Sequence, residues 1–370
     1  MTTTIINKNK KPNVPNLRFP EFQGEWEKCK ISDILSIGNG RDYKHLEKGD
    51  IPVFGTGGYM TSVNSYLYDG ETAFIGRKGT INKPYYYKGK FWTVDTLFYT
   101  HSFNGVTPHF VYCLFQTINW LRYNEASGVP SLSKDTIEKI KVHIPQIEEQ
   151  QKISHLLFLL DERIATQSKI IDKLQTLIKG IVDSTILRKE KNAIVGDVCS
   201  ISEQIRAEVN IDDIITVRLH GNGVCKSSAE NLQLGATQYY RRRAGQLIYG
   251  KQNFHNGAIG IVPISLDNGI TSKDIPSFDI DEMKCNSVYL LAQLQSPQYY
   301  KPAEALTTGT GSKRLKEETF LKMPIVLPNK REQDNIATLI ISISANLDQA
   351  KKMLDLFSIQ KQYLLRQMFI

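Results

Sequence analysis

The sequence predicts an α/β (α+β) protein with two copies of one lobe, joined by two long helices that pair as an antiparallel coiled coil. Three observations lead to this fold class: an internal repeat, a heptad pattern that closes each copy, and a short polar connector between the copies. At 370 residues the chain is long enough for two or three domains. We therefore expect a pseudo-twofold internal repeat in which each lobe is followed by its own helix.

The internal repeat is clearest just before each predicted long helix. Residues 127–145 (SGVPSLSKDTIEKIKVHIP) align with residues 310–328 (TGSKRLKEETFLKMPIVLP) at an offset of 183. Nearer the start of each copy, residues 30–34 resemble residues 194–198 at a smaller offset of 164. The second copy is therefore longer in its middle, and the two copies differ most there.

Each copy ends in a heptad pattern typical of a coiled-coil helix. Apolar residues recur at alternating spacings of four and three, with Gln167 and Lys361 as polar interruptions. The alternative, a surface helix packed on an ordinary core, would show a wider apolar face that drifts with a period of 3.6 residues. The first helix, at 147–187, would be about 60 Å long. The predicted coiled-coil positions are Ile153, Leu157, Leu160, Ile164, Ile171, Leu174, Ile178, Ile336, Ile340, Ile343, Leu347, Leu354, Phe357 and Leu364.

The connector between the copies indicates how the two helices run. Residues 188–193, RKEKNA, are so few that the second lobe must begin near the far end of the first helix. Parallel helices would then place the second lobe on top of the first, so we expect antiparallel packing. The predicted segments are a flexible N-terminal tail at 1–16, a first lobe at 17–146, a helix and connector at 147–190, a second lobe at 191–328 and a second helix at 329–370.

Each lobe is expected to contain many short strands and a few helices. Runs rich in β-branched and aromatic residues at 71–75, 91–94 and 245–249 are bounded by glycine and asparagine turns. Helices are predicted at 108–123 and 287–300.

Composition excludes several classes of protein. The longest apolar runs, such as 156–160, are far shorter than the ~20 residues that cross a bilayer, and the N-terminus lacks an apolar signal core. We therefore expect the chain to stay in the cytoplasm. The five scattered cysteines form no C-x-x-C pair, so neither a disulfide framework nor a zinc site is expected. The formal net charge of +8 favours a polyanionic partner, although many basic proteins bind none.

No catalytic or cofactor-binding motif is convincing. The string at 309–313 has the wrong spacing for a phosphate-binding loop, and the glycines at 38–40 lack the following helix-opening glycine of a dinucleotide or S-adenosylmethionine site. Asp279, Glu282 and Lys284 fit an acidic loop better than a nuclease triad. The seven histidines show no metal-binding spacing, so no catalytic and no metal-binding residues are predicted.

Basic, amide and aromatic residues occur instead on glycine-rich loops at matching places in both copies. Glycines let backbone amides approach phosphate closely, Arg and Lys supply charge, and Gln or Asn can contact adenine edges in the major groove. A solvated hairpin turn is the alternative for either loop alone, and tyrosine runs are also common in ordinary strand pairs. The residues predicted to bind DNA in the first copy are Arg77, Lys78, Thr80, Lys83, Tyr85, Tyr86, Ser127 and Ser131. Those predicted in the second copy are Tyr239, Arg241, Arg242, Arg243, Lys251, Gln252, Asn253, Asn256, Lys313 and Arg314.

Several short motifs coincide with those of one known family. Residues 14–26, VPNLRFPEFQGEW, are similar to an N-terminal P-x-L-R-F-P-E-F-x-x-x-W motif. The matches continue at Leu132, at Ile144-Pro145 and at Glu149-Gln150, which opens the first long helix, with a weaker second copy at Glu332-Gln333. On these residues, the chain resembles the specificity subunit (HsdS) of type I restriction-modification systems.

The resemblance implies two target-recognition domains, each reading one half of a split DNA sequence, with the coiled coil as a ruler for the gap. It implies a subunit with no catalytic activity of its own, which assembles with two methyltransferase (modification) subunits and two ATP-dependent restriction subunits. S-adenosylmethionine, ATP and magnesium would belong to those partners. Because the two copies differ, we expect an asymmetric, non-palindromic target. The second copy lacks a counterpart of Pro130-Ser131, which affects its loop assignments.

Two other functions fit parts of the sequence. A coiled-coil scaffold that binds only protein would use the long helices without DNA, and a mobility-shift assay separates it from a DNA reader. A free-standing DNA methyltransferase or nuclease would need the catalytic motifs that were not found.

Overall fold

The computed structural model describes residues 13–227, 237–309 and 313–370. Most of the predicted N-terminal tail lies outside the described residues, as do residues 310–312, which precede the predicted DNA-binding residues Lys313 and Arg314. The chain divides into two compact units: unit 1 is formed by the chain up to Ser168 together with Lys352–Ile370, and unit 2 is formed by Lys169–Lys351. Each long helix therefore contributes to both units.

The helices vary from single turns to 39 residues. They are α1 (Ile31–Ile34), α2 (Pro108–Thr117), α3 (Lys134–Glu138), α4 (Ile147–Val182), α5 (Ser287–Leu294), α6 (Pro297–Tyr300), α7 (Glu317–Leu321) and α8 (Lys330–Met368). The predicted helix at 147–187 is observed as α4 followed by a π-helical turn at Asp183–Leu187. The predicted helices at 108–123 and 287–300 are each interrupted, because α2 gives way to a 3₁₀ turn at Trp120–Tyr123 and α5 is followed by the separate α6.

The strands are mostly short, as the sequence indicated. Those of unit 1 are β1 (Glu27–Lys30), β2 (Ser36–Asn39), β3 (Lys48–Gly55), β4 (Gly58–Val63), β5 (Tyr68–Gly76), β6 (Tyr85–Thr93), β7 (Leu97–His101) and β8 (Lys141–Ile144). Those of unit 2 are β9 (Ala193–Ile194), β10 (Cys199–Ile201), β11 (Arg206–Ala207), β12 (Ile215–Val217), β13 (Val224–Lys226), β14 (Tyr239–Arg242), β15 (Leu247–Tyr249), β16 (Ile259–Ile261), β17 (Gly269–Ser272), β18 (Ser277–Ile280) and β19 (Pro324–Ile325).

Unit 1 is built on a six-stranded sheet in the order β2-β7-β5-β6-β3-β4. Its neighbouring strands are antiparallel except for the parallel pair β3 and β6. One apolar cluster contains Phe54, Phe74 and Phe91, and a second contains Trp26 and Phe110 together with residues of α2 and the start of α4. A third cluster contains Val53, Val63 and Trp92. The alternation of strand side chains between the two faces of the sheet explains why the apolar residues of the unit divide into separate clusters.

Unit 2 has smaller sheets, of which the largest has the order β10-β18-β15-β16. A three-stranded sheet in the order β11-β14-β17 carries the tyrosine and arginine run. The main core packs Tyr249, Phe254, Phe278 and Phe320, with ring centroids between 4.7 and 5.8 Å apart. The longer middle of this copy thus forms additional short sheets around one aromatic core.

A buried glutamine fixes the start of the long helix in unit 1. The Gln150 side chain accepts a hydrogen bond from the backbone N–H of Thr107 (2.9 Å) and donates to the carbonyls of Gly105 and Pro145 (2.9 Å each). Thr107 is the N-cap residue of α2. The amide therefore ties the first turn of α4 to the first turn of α2.

Gln333 makes the same three hydrogen bonds in unit 2. Its side chain accepts from the backbone N–H of Asn286 (2.9 Å), which caps α5, and donates to the carbonyls of Lys284 (3.1 Å) and Pro328 (2.8 Å). Both glutamines are completely buried. The two units therefore attach their long helix by the same device.

Parts of α4 and α8 contact each other within each unit. In unit 1 the ammonium of Lys361 pairs with the carboxylate of Asp161, and the guanidinium of Arg163 lies 5.8 Å from the ring centroid of Phe357. All fourteen predicted coiled-coil positions are buried or half-buried. Lys361, a predicted interruption, is thus ion-paired. Among the described residues, none of the helices combines the length and apolar character needed to cross a membrane.

We predict that Gln150→Ala will lower the free energy of unfolding of unit 1 by about 2 kcal/mol or more, because three backbone groups around the buried amide would be left without their hydrogen-bond partner. Urea unfolding followed by tryptophan fluorescence measures this change. All three tryptophans, Trp26, Trp92 and Trp120, belong to unit 1.

The matched control is Gln151→Ala, which truncates the exposed neighbouring glutamine. It should leave the unfolding midpoint nearly unchanged. Equal destabilisation by the two substitutions would contradict the role assigned to the buried amide.

Candidate nucleic-acid interface

Two loops that the sequence analysis singled out separately meet in unit 1. The backbone N–H of Leu132 donates to the carbonyl of Arg77 (2.9 Å), and that of Gly79 donates to Pro130 (2.8 Å). Lys78 and Ser131 form an isolated β-bridge. We call the cleft between these loops, 76–80 and 127–133, loop cleft 1.

Loop cleft 1 has a volume of about 280 Å³ and a basic lining. The Arg77 side chain donates to the carbonyl of Asp95 (3.4 Å) and lies 5.9 Å from the Phe98 ring centroid, whereas Lys78 is exposed. Glu125 is the acidic member of the lining. Hydrogen bonds from the hydroxyls of Thr136 and Ser133 lower the pKa of this carboxyl, so it stays ionised and holds the second loop in place.

Unit 2 brings together the two corresponding loops. The backbone N–H of Leu315 donates to the carbonyl of Lys251 (2.9 Å), which is the counterpart of the Leu132 bond in unit 1. The cleft between residues 250–257 and the described residues of 307–315 has a volume of about 700 Å³. We call it loop cleft 2.

Three of the cations at loop cleft 2 are paired with carboxylates. The ammonium of Lys251, only 12% exposed, lies 2.7 Å from Glu317. Arg314 pairs with Asp274 at 3.3 Å, and Lys313 pairs with Glu304 at 3.3 Å, in both cases with partly exposed side chains. Loop cleft 2 thus offers less uncompensated positive charge than loop cleft 1.

Amide side chains lie beside loop cleft 2. Gln252 and Asn253 are exposed, and the Asn256 side chain donates to that of Asn253 (3.2 Å). The predicted amide residues are therefore together on one short loop, with two of them facing solvent. This arrangement suits hydrogen bonds to base edges.

The arginine run of β14 is divided between the surface and the interior. Arg241 and Arg243 are exposed, and Arg243 forms a 3.3 Å ion pair with Asp279. Arg242, by contrast, is completely buried, so the structure corrects its assignment as a DNA contact. Tyr239, only 7% exposed, belongs to the apolar cluster of Ile214 and Ile270, and its assignment is corrected for the same reason.

Arg242 is a structural cation with neutral partners. Its guanidinium donates to the hydroxyls of Thr271 (2.7 Å) and Ser277 (2.9 Å), to the Gln204 side chain (3.3 Å) and to the carbonyl of Ile275 (3.0 Å). Burial lowers the pKa of Arg242 to about 10. The group therefore remains charged at neutral pH and fixes the segment from β17 to β18.

The predicted aromatic contacts of unit 1 are largely engaged inside the protein. The Tyr85 hydroxyl donates to the carbonyl of Gly55 (2.9 Å), and the Tyr86 ring stacks on His109 with centroids 4.7 Å apart. Both tyrosines are half-buried, so base stacking on these rings conflicts with their packing. Lys83 is exposed in the same connection.

The remaining predicted residues lie at the edge of the first cleft. Thr80 is half-buried and Ser127 is exposed. The sequence analysis missed Lys134 and Lys316, which line loop clefts 1 and 2. Each lysine follows its loop within a few residues, which is the signal that the sequence contained, whereas the repeat aligns Lys134 with Glu317 and Lys316 with Ser133.

The titratable residues give no candidate metal centre within the described ranges. Among residues 13–227, 237–309 and 313–370, no group of three or more His, Cys, Asp or Glu side chains is placed to hold a metal ion.

Residues 23–176 match a family model described as the type I restriction modification DNA specificity domain. The chain is 23% identical over 206 residues to the type I restriction enzyme EcoprrI specificity subunit of Escherichia coli, an alignment that covers 51% of this chain and 47% of that protein. It is 22% identical over 322 residues to the MjaVIII specificity subunit of Methanocaldococcus jannaschii, covering 77% of this chain and 73% of that protein.

The fold also has a counterpart among solved structures. The S subunit of a type I restriction-modification system from M. genitalium aligns with 96% of this chain and 99% of its own, with a TM-score of 0.70 and 12% identity. The matched part of the chain spans about half the length of the E. coli relative and about three quarters of the M. jannaschii one. Residues 23–176 thus match the type I restriction modification DNA specificity domain, and the chain as a whole is similar to type I restriction-modification specificity subunits.

Proposed function

We propose that this chain reads double-stranded DNA at two separate, unlike half-sequences and holds the two readers at a fixed spacing. The observation that carries the proposal is the recurrence of one loop arrangement. In each unit a basic loop after a central strand receives a backbone hydrogen bond from the segment that leads to the long helix, Leu132 to Arg77 and Leu315 to Lys251. Each unit thus presents a cleft with cationic and polar side chains, which suits phosphate and base contacts.

The two clefts support unlike half-sequences. Loop cleft 1 offers Arg77 and Lys78, whereas loop cleft 2 combines ion-paired cations with exposed Gln252 and Asn253. Identical readers related by a twofold axis would favour a palindrome, and different readers favour an asymmetric target.

An antiparallel coiled coil of α4 and α8 is the proposed ruler. Within unit 1, Asp161 and Arg163 of α4 contact Lys361 and Phe357 of α8, so the residue order is opposite in the two helices. Within unit 2, the end of α4 and the start of α8 share one apolar cluster. Both observations support antiparallel pairing along the helices.

The chain is a recognition subunit and not an enzyme, and other chains supply the chemistry. We propose that it assembles with two methyltransferase subunits and, for cleavage, with two ATP-dependent restriction subunits. S-adenosylmethionine, ATP and magnesium would be held by those partners. Acting on DNA with them, the chain would work in the cytoplasm.

Two similar grooves are candidate docking surfaces for the two methyltransferase subunits. The groove of unit 2, about 500 Å³, is lined by Val182 of α4, Ala292 of α5 and Ile340 of α8 among others. That of unit 1, about 380 Å³, lies between the end of α2 and Leu365 of α8, and Phe369, which follows α8, also lines it. Helix ends from equivalent parts of the repeat form both grooves, which favours two copies of one partner.

We predict that inserting one heptad into both long helices, near Ser168 in α4 and Lys352 in α8, will lengthen the gap between the half-sequences. Seven residues add about 10 Å of helix, which corresponds to about three base pairs. Methylation mapping of a host genome carrying each variant measures the gap. The wild type should give two unlike half-sequences with one fixed gap.

The half-sequences themselves should not change on insertion. A palindromic target, one contiguous tract or an unchanged gap would contradict the ruler. The control is a heptad inserted into one helix only. It should abolish specific methylation, because the residues beyond the insertion would be shifted by one heptad relative to their partners on the other helix.

We predict that replacing Arg241 and Arg243 by alanine will weaken DNA binding on any sequence, because both exposed guanidiniums are suited to phosphate. The slope of log K against log salt should become shallower by about 0.9 for each phosphate that the variant no longer neutralises. A salt titration of binding to labelled duplex measures both effects.

Arg242→Ala is the matched control within the same strand. It should reduce the unfolding free energy of unit 2 and leave the salt slope of the folded fraction unchanged, because the guanidinium is buried. If the Arg241/Arg243 variant kept the wild-type slope of log K against log salt, neither residue would belong to the DNA interface.

We predict that Ala292→Trp will reduce the number of methyltransferase subunits bound from two to one, because the indole fills the groove of unit 2. Native mass spectrometry of the assembled complex gives the stoichiometry. Ala305→Trp, at an exposed position of the same unit, should retain two subunits. If both variants still bound two methyltransferase subunits, the groove of unit 2 would not be a docking surface.

A further inference from the structure

Two consecutive large apolar side chains are exposed on the edge of the sheet of unit 1. Tyr59 is 64% exposed and Met60 is 51% exposed, and both belong to β4, the last strand of the sheet. Neighbouring residues of a regular strand point to opposite faces. Here Val53 pairs with Thr61 while Phe54 pairs with Tyr59, so Met60 is the extra residue of a β-bulge. The bulge explains why both side chains can face solvent.

Two hydrogen bonds hold the tip of the β3–β4 hairpin, which carries this pair. The carbonyl of Phe54 accepts a hydrogen bond from the backbone N–H of Val94 (3.0 Å), and that of Gly55 accepts from the Tyr85 hydroxyl (2.9 Å). A Cβ on Gly55 would lie 2.7 Å from the Met60 sulfur, so glycine leaves the space that the methionine uses. The pair is therefore presented on fixed backbone.

The tip also adjoins loop cleft 1. The Thr56 hydroxyl lies 3.8 Å from the position that a Cβ on Gly79 would take, so the β3–β4 turn lies close to the loop that carries Arg77 and Lys78. An apolar pair beside cations fits a ligand that is anionic outside and apolar inside. Duplex DNA has this composition, with charged phosphates around stacked bases. A neutral protein surface would leave the cations without partners.

We propose that Tyr59 and Met60 form an apolar wedge that enters the DNA at one base step of the half-sequence read by unit 1. The inference rests on the proposed DNA-binding function and adds a mode of recognition to it. Inserted apolar side chains unstack and kink a step, and pyrimidine–purine steps yield most easily. Unit 1 would therefore select a deformable step in addition to any bases that its polar side chains contact.

The test uses the full chain and duplexes that contain its mapped target, with 2-aminopurine placed at successive positions of the half-sequence read by unit 1. Wild-type protein should raise the 2-aminopurine fluorescence severalfold at one step. The double variant Tyr59→Ala/Met60→Ala should abolish that rise and bind about ten-fold more weakly, because it has no side chain to stack on the base. Its salt slope should equal that of the wild type, since every phosphate contact is retained.

Three further variants make the result specific. Tyr59→Phe keeps the ring and should keep the fluorescence rise. Lys78→Ala should reduce the salt slope and keep the rise. Met283→Ala truncates a methionine that is 88% exposed, beside Asp281, Glu282 and a lysine, Lys284, that is paired with Asp281, and should change neither quantity.

The outcomes separate the wedge from the DNA-binding function. Wild-type affinity and an unchanged fluorescence rise in the double variant would overturn the wedge and leave the DNA-binding function intact. A reduced salt slope in the double variant would also overturn it, because the pair would then act through the neighbouring cations. Failure of the wild type to bind its mapped DNA would overturn both.

Discussion

The structure depends on one buried amide at the start of each long helix. Gln150 and Gln333 each accept one backbone N–H and donate to two carbonyls, and an uncharged amide can do both at once. A glutamate at the same place would lack the donors. Because the accepted N–H belongs to the cap of α2 or α5, the direction of each long helix is fixed relative to the body of its unit. Any ruler function of the helices requires this rigid attachment.

The neighbouring carboxylates complete the same junction. Glu149 pairs with Arg18 at 2.7 Å and is almost fully buried, and Glu332 pairs with Lys189 of the connector. Removing one partner of a buried ion pair leaves an uncompensated charge, which is far more costly than breaking an exposed pair. The adjacent glutamic acid and glutamine that appear in both copies therefore have two different tasks: the carboxylate anchors the incoming segment and the amide anchors the helix.

Much of the scaffold could be predicted from the sequence, and much of the candidate site could not. The long helices were visible because their period extends over several heptads, and the loops were visible because glycine and basic residues cluster there. The prediction of Arg242 as a DNA contact is wrong because a run of three arginines suggests that all three are exposed on one surface. The alternation of a strand instead places Arg241 and Arg243 on one face and Arg242 on the other, beside Tyr240 at 5.7 Å. The pairing of Lys361 with Asp161 joins residues two hundred positions apart, and no local pattern could indicate it.

Backbone hydrogen bonds join the two loops of each cleft, so the cleft side chains that do not themselves hold a loop, as Glu125 does, are free to differ. The bonds from Leu132 to Arg77 and from Leu315 to Lys251 need only an N–H and a carbonyl, so replacing the side chain of Arg77 or Lys251 does not remove them. The paired cations of loop cleft 2 are similarly adjustable, because a partly exposed ion pair such as Arg314 with Asp274 is worth little and can be exchanged for a phosphate contact. A fold held in this way can keep its shape while the side chains of its clefts change, which is consistent with a TM-score of 0.70 at only 12% identity. Buried amides and backbone bonds thus fix the long helix and the cleft within each unit, and under the proposed function the exposed side chains would determine which sequence the unit contacts.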